Sequence, residues 1–186
     1  YPFLYQDGNQ LYMIPETNEN KRLEIYKCVS FPYKWELYST AFEGEIIADP
    51  HIFKENNNLW LFINKAQNCL LPMDNELFIY KIDSMKLKNI TPHSENPVMI
   101  DSRFARNAGP IFRKDKNFYR PSQSNVEGIY GRYLNINKII KLNINEYQEK
   151  KVIKIEPNFV KNIKSIHHLS QVKDYFAIDA CYRFKI

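Results

Sequence analysis

Apolar and polar positions along this chain come in short blocks, with no sustained helical period. "DPHIFKENNNLWLF", residues 49–62, sets two apolar runs around a polar tip, and nearly the same phrase starts at Tyr1, Ala108 and Ile166. Pro2, Pro50 and Gly109 each stand ten residues before an aromatic, at Tyr12, Trp60 and Tyr119. In the fourth copy His167 stands nine before Phe176, so its turn is expected to be one residue shorter. Two apolar runs around an Asn/Asp/Gly tip predict a β-hairpin. "LWLFI" at 59–63 is apolar without alternation, as expected of a strand buried on both faces. "RLEIYKCV" at 22–29 and "ELFIYKI" at 76–82 predict further strands, with weaker ones in "KWELYS" at 34–39 and "RYLNIN" at 132–137.

The repeat starts at 1, 49, 108 and 166 are spaced by 48, 59 and 58 residues, which suits units of about four strands. An all-β chain with that period predicts a single β-propeller domain over residues 1–186, with about four blades present. A β-sandwich with coincidentally similar hairpins is the alternative. Four repeats fall short of a closed ring, and the first residue is Tyr rather than Met, so a further piece is expected upstream.

In a propeller the first strand of each blade lines the central channel and the second returns beside it. The start of the first and the end of the second therefore share one rim. Polar residues stand at those positions. Asp49 and Arg106 precede first strands, and His167 and His168 open the last one. Glu16, Asn64 and Gln123 lie fourteen residues after Pro2, Pro50 and Gly109. Arg120 replaces the apolar Met13 and Leu61 of the other copies, and Asp179 ends the last hairpin one position off register. Asn64, Arg106, Arg120, Gln123 and His168 are candidate ligand-binding groups: carboxylates and amides match sugar hydroxyls, and arginine forks match phosphate or carboxylate. Glu16 and Asp49 are the candidate acid and base of a glycoside-type reaction. The alternative is that these groups satisfy inner-strand backbone and one another.

Composition narrows the rest. With 44% hydrophobic and 15% aromatic residues in 186, a sizeable core is available. The net charge of +5 comes from spread lysines, densest between Lys138 and Lys164, and reads as a solvated strand edge rather than a nucleic-acid surface. Cys28, Cys69 and Cys181 are isolated, which argues against disulfides and zinc and predicts reduced, core-type residues. Adjacent histidines on a strand face opposite ways, so His167 and His168 do not share a metal. His93 reads as a loop histidine, and His51 as solvated or bonded to its neighbours. No cofactor or metal is implied. No stretch is long and apolar enough for direct membrane insertion and no signal pattern opens the chain, so a cytoplasmic location is the expectation.

"YPFLYQDGNQLYMIPET", "FPYKWEL", "DPHIFKENNNLWLF", "ELFIYKI", "ARNAGPIFRKDKNFYRPSQ" and "HHL", in this order, resemble the propeller domain at the N-terminal side of plant glucosamine inositolphosphorylceramide transferases. Related bacterial domains accompany sugar formyltransferase-like and other glycan-assembly modules. The family is similar to the five-bladed propellers of arabinanase-type glycoside hydrolases. The resemblance implies a five-bladed ring and a carbohydrate or sugar-phosphate ligand. It also implies a covalently linked transferase domain, to which the plant transfer reaction is attributed. Family members commonly read Asp-Thr at Asp49-Pro50 and "ARPAG" where this chain has Asn107. Three functions follow: a glycan-recognising module, a hydrolase or transferase acting through Glu16 and Asp49, or a structural or protein-interaction propeller.

Overall fold

Each repeated phrase folds into the expected hairpin in the computed structural model, which describes residues 2–65 and 75–182. Cys69 lies outside the described residues. The hairpins pair β1 (Phe3–Asp7) with β2 (Gln10–Ile14), and β5 (Ala48–Glu55) with β6 (Asn58–Asn64). They also pair β10 (Phe112–Lys114) with β11 (Asn117–Val126), and β15 (Leu169–Val172) with β16 (Tyr175–Ile178). All four tips have two residues, and the first of each is left-handed: Gly8, Asn56, Asp115 and Lys173, with φ of 56°, 53°, 56° and 53°. That twist matches the flanking strands.

The fourth turn is therefore not shorter than the others. Tyr5 pairs Tyr12, Phe53 pairs Trp60, Phe112 pairs Tyr119, and the equivalent fourth pair is Ser170 with Ala177. Phe176 stands one position early. A one-residue offset turns a side chain to the opposite face, and Phe176 is 57% exposed.

Around the hairpins the chain adds β3 (Leu23–Ser30), β4 (Lys34–Ala41), β7 (Glu76–Ile82), β8 (Ile90–Pro92) and β9 (Met99–Ile100). Further on come β12 (Ile129–Leu142), β13 (Tyr147–Ile155), β14 (Ile163–Ser165) and β17 (Cys181–Tyr182). Three sheets run in chain order, β1-β2-β3-β4, β5-β6-β7-β8 with β9 beside β7, and β10-β11-β12-β13. The fourth unit consists of the pairs β15-β16 and β14-β17. Among the described residues the one helical turn is a 3-10 turn at Asn18–Asn20, and no helix is long and apolar enough to cross a membrane.

The core is the set of seams between successive sheets. Leu61 and Ile63 of β6 pack with Phe3, Ile14 and Ile25 of the first sheet, whereas Trp60 and Phe62 join the seam with Phe118 and Tyr147 of the third. Strand β7 divides the same way: Phe78 and Tyr80 face the first seam, Leu77 and Ile79 the second. A strand sandwiched between two neighbours has no solvent face, which is why "LWLFI" and "ELFIYKI" show no alternation. Each such side chain contributes roughly 1.5–3 kcal/mol by burial. The third seam joins Leu134 and Ile136 to Ile166 and Leu169. Face-to-face blades of this kind make a β-propeller.

Lys150, Lys151 and Lys154 are exposed on β13, the outer strand of the third sheet, as the solvated-edge reading expects. Cys28 and Cys181 are free but are not core residues. Cys28 is half-buried where β3 runs outward, and Cys181 is exposed in the fourth unit.

Candidate functional site

Three sheets each send one charged group to a common point. Asp49 owes its position to a bulge in β5, where the register jumps between Ala48 and His51. The extra residue re-aims the side chain, and Asp49 takes a left-handed backbone with φ 45°. Arg106 precedes β10 and is anchored by its carbonyl, which accepts the Gln123 N–H at 3.0 Å. Its guanidinium Nε donates to Asp49 Oδ2 in a buried ion pair, and its Nη2 lies 3.9 Å from Glu16 Oε1. Glu16 follows β2 and is the accessible member of the cluster, with a quarter of its side chain exposed.

Glu16 is pushed above the ordinary carboxylate value of 4.5, first by burial and then by the Asp49 carboxylate; Arg106 pulls the other way. Burial works against the Arg106 charge, and Asp49 more than restores it. The cluster thus holds a matched Asp49–Arg106 pair and a Glu16 that resists ionisation.

Gln123 and His168 border the same point. Gln123 Nε2 donates to the Tyr130 hydroxyl at 3.2 Å, and the Arg106 guanidinium lies 6.0 Å from the Tyr130 ring centre. His168 is held below its usual value by burial, against the pull of Asp179 and Asp49. Asp179 Oδ1 accepts from the His167 and His168 N–H groups at 2.9 and 2.7 Å, and its Oδ2 pairs with His167 Nδ1. The two histidines occupy this corner between β14 and β15 rather than a strand.

Asn64 and Arg120 have other partners. Asn64 donates to the carbonyls of Glu76 and Ala105 at 2.8 and 2.9 Å and accepts the Asn107 N–H at 2.7 Å. Arg120, fully buried, fills the second seam. It forms a fork on Glu149 at 2.6 and 2.8 Å and donates to Phe104 O (2.7 Å), Asn107 Oδ1 (3.1 Å) and Ala105 O (3.4 Å). Those five bonds occupy all five guanidinium N–H groups, so Arg120 has none to offer a ligand. Both residues support the rim from behind.

Two features escaped the sequence reading. Tyr130 lies just ahead of the weak strand read at 132–137, and its place between Gly128 and Gly131 is the signal of a tight, exposed corner. Asn107 holds its Nδ2 3.1 Å from the Asp49 carbonyl, tying the rim to Arg120. Of the other histidines, His93 is buried in its turn, its Nδ1 accepting the Glu95 N–H. His51 is not solvated. It is fully buried and stacked on Phe62 at 5.3 Å, and burial followed by the Arg120 charge depresses it to about 3. Among the described residues no group of three or more His, Cys, Asp or Glu is arranged to hold a metal.

The family described as "Glucosamine inositolphosphorylceramide transferase 1, N-terminal" matches residues 1–173. Glucosamine inositolphosphorylceramide transferase 1 of Oryza sativa subsp. japonica is 32% identical over 151 residues, 80% of this chain and 20% of that protein. The Arabidopsis thaliana protein of the same name is 30% identical over 154 residues, covering 82% and 20%. The chain spans about a fifth of the length of these relatives. Among solved structures, the exo-β-1,3-galactanase of Phanerochaete chrysosporium with β-1,3-galactotriose superposes with a TM-score of 0.62 at 11% identity, over 98% of this chain and 43% of that one. A GH43_1 enzyme of Xanthomonas citri complexed with xylotriose gives 0.59 at 8% identity, over 95% and 64%. At such identities the likeness establishes the propeller fold alone. The sequence match goes further, and the chain belongs to the glucosamine inositolphosphorylceramide transferase N-terminal family, a family of sugar-related β-propeller domains.

Proposed function

We propose that this domain recognises a glycan through the rim formed by Glu16, Asp49, Arg106, Gln123 and His168, as one module of a glycan-assembly protein that carries its transferase activity on a linked domain. The ring has five blades, and this chain supplies the units that begin near residues 1, 49, 108 and 166. The observation that carries the reading is the convergence of Glu16, Asp49 and Arg106 from three sheets, with Glu16 open to the channel mouth. Their chemistry favours neutral hydroxyls over phosphate. The one guanidinium is matched by Asp49, and the partly exposed Glu16 carboxyl accepts from a hydroxyl.

The enzymatic reading is second. A glycoside hydrolase holds its carboxyl groups ~5–5.5 Å apart when retaining and ~6.5–9.5 Å apart when inverting. The Asp49 carboxylate is buried and taken up by the Arg106 guanidinium, which weighs against this pair as acid and base.

The test uses the full-length protein. Thermal shifts are measured against neutral methyl glycosides, neutral oligosaccharides and sugar phosphates, with Glu16→Gln alongside. A neutral sugar at 100 times its dissociation constant should stabilise by about 2.7 kcal/mol. Glu16→Gln should weaken that binding and remove any pH dependence of it just above the ordinary carboxylate range. Stabilisation by sugar phosphates alone refutes the neutral-ligand reading. No shift with any sugar refutes glycan recognition.

A further inference from the structure

Beside the charged cluster stands a corner built from unusual backbone. Glu127, Gly128 and Gly131 have φ of 56°, 68° and 64°, and the turn they make presses against the start of the fourth unit. A Cβ on Gly131 would lie 2.8 Å from Ile166 O and 2.7 Å from His167 Cβ, so only glycine permits this approach. The contact is bonded on both sides. Ile166 N–H donates to Gly131 O at 2.8 Å, and Gly131 N–H donates to Asn125 Oδ1 at 2.8 Å. The corner brings Tyr130 against His167, with ring centres 5.3 Å apart and planes tilted by 59°. Tyr130 is nevertheless 51% exposed, and the His167 side chain 45%.

We infer that Tyr130 and His167 form an aromatic wall against which the C–H face of a pyranose ring rests while its hydroxyls meet Glu16, Arg106 and Gln123. The inference rests on the glycan reading and names the ligand class of that same site. A sugar ring is amphipathic, with hydroxyls around its rim and an apolar C–H face on one or both sides. A site for it therefore needs a polar cluster beside an apolar surface, and here the Arg106 guanidinium lies 6.0 Å from the Tyr130 ring centre while Gln123 reaches the Tyr130 hydroxyl. The Tyr130 hydroxyl accepts from Gln123. Its own proton is free to point to a ligand oxygen, so the wall also reads orientation.

The measurement is ligand-observed proton NMR on the full-length protein, with methyl glycosides of galactose, glucosamine and mannose and with β-1,3-galactotriose as probes. Bound C–H protons should show an upfield ring-current shift in the unsubstituted protein. That signature needs no variant, so it decides the matter even where a substitution impairs folding. Tyr130→Leu, which keeps an apolar side chain without a ring, should abolish the shift and weaken binding by roughly tenfold or more. Tyr130→Phe should keep the shift. If a probe binds and Glu16→Gln weakens it, yet no ring-current shift appears and Tyr130→Leu binds equally well, the wall is refuted and the glycan site stands. If the unsubstituted protein binds no probe, both readings fall.

Discussion

Arg120 and Glu149 meet in the second seam with side chains 0% and 4% exposed. The fork between them is bidentate, and Tyr147 Oη adds a third bond to the carboxylate at 2.5 Å. Removing one partner of such a pair leaves an uncompensated buried charge and costs about 3–5 kcal/mol. Glu149→Gln keeps the shape and strands the guanidinium. Arg120→Met strands the carboxylate and three acceptors on residues 104, 105 and 107 as well, so it should be the more damaging. The double variant removes both charges, and its loss should fall short of the sum of the singles by roughly 2 kcal/mol or more. Urea unfolding followed by tryptophan fluorescence suits the test, because Trp60 is buried in the same seam. At 2–4 °C per kcal/mol for a domain of this size, a 3 kcal/mol loss lowers the melting temperature by roughly 6–12 °C. Singles that cost under about 1 kcal/mol, or a strictly additive double, would show that the pair does not hold β11 and β13 of the third sheet together in the seam.

His51 and Gly109 give two further expectations. A histidine depressed to about 3 when folded, against 6.5 when free, lends stability that is complete above pH 6.5 and is lost as pH falls toward 3. The full span is roughly 5 kcal/mol at 1.36 kcal/mol per unit; a pH series of unfolding free energies should lose that slope in His51→Phe, and an unchanged acid limb sinks the assignment. Gly109 has φ +131°, and a Cβ there would fall 1.9 Å from Leu169 O, so Gly109→Ala should part the third and fourth units and lower the melting temperature by roughly 6–12 °C for a loss of roughly 3 kcal/mol. A variant melting with the parent contradicts that packing.

The hairpins were legible because their information is local. Two apolar runs, a polar tip and a matched aromatic lie within sixteen residues, and the absence of alternation in "LWLFI" carried the two-sided burial. The rim was legible from the same register, which brought Glu16, Asp49, Arg106 and Gln123 to one end of the inner strands. What stayed hidden depends on partners remote in sequence. Arg120 stands where Met13 and Leu61 stand in other copies, and its partner Glu149 lies 29 residues on, in a strand that reads as a lysine-rich edge. A lone arginine at an apolar register position and a glutamate among lysines were the available hints. Phe176 misled because counting residues to an aromatic does not locate the turn between.

Asn107 ties these parts together. Its Nδ2 holds the Asp49 carbonyl, its N–H holds Asn64 Oδ1, and its Oδ1 receives Arg120. One amide thus works as a tie-rod between the mouth of the channel and the joint behind it. A change in how the second and third sheets seat against each other reaches Asp49 across a single side chain. Drift at buried positions behind the rim can therefore shift the rim itself.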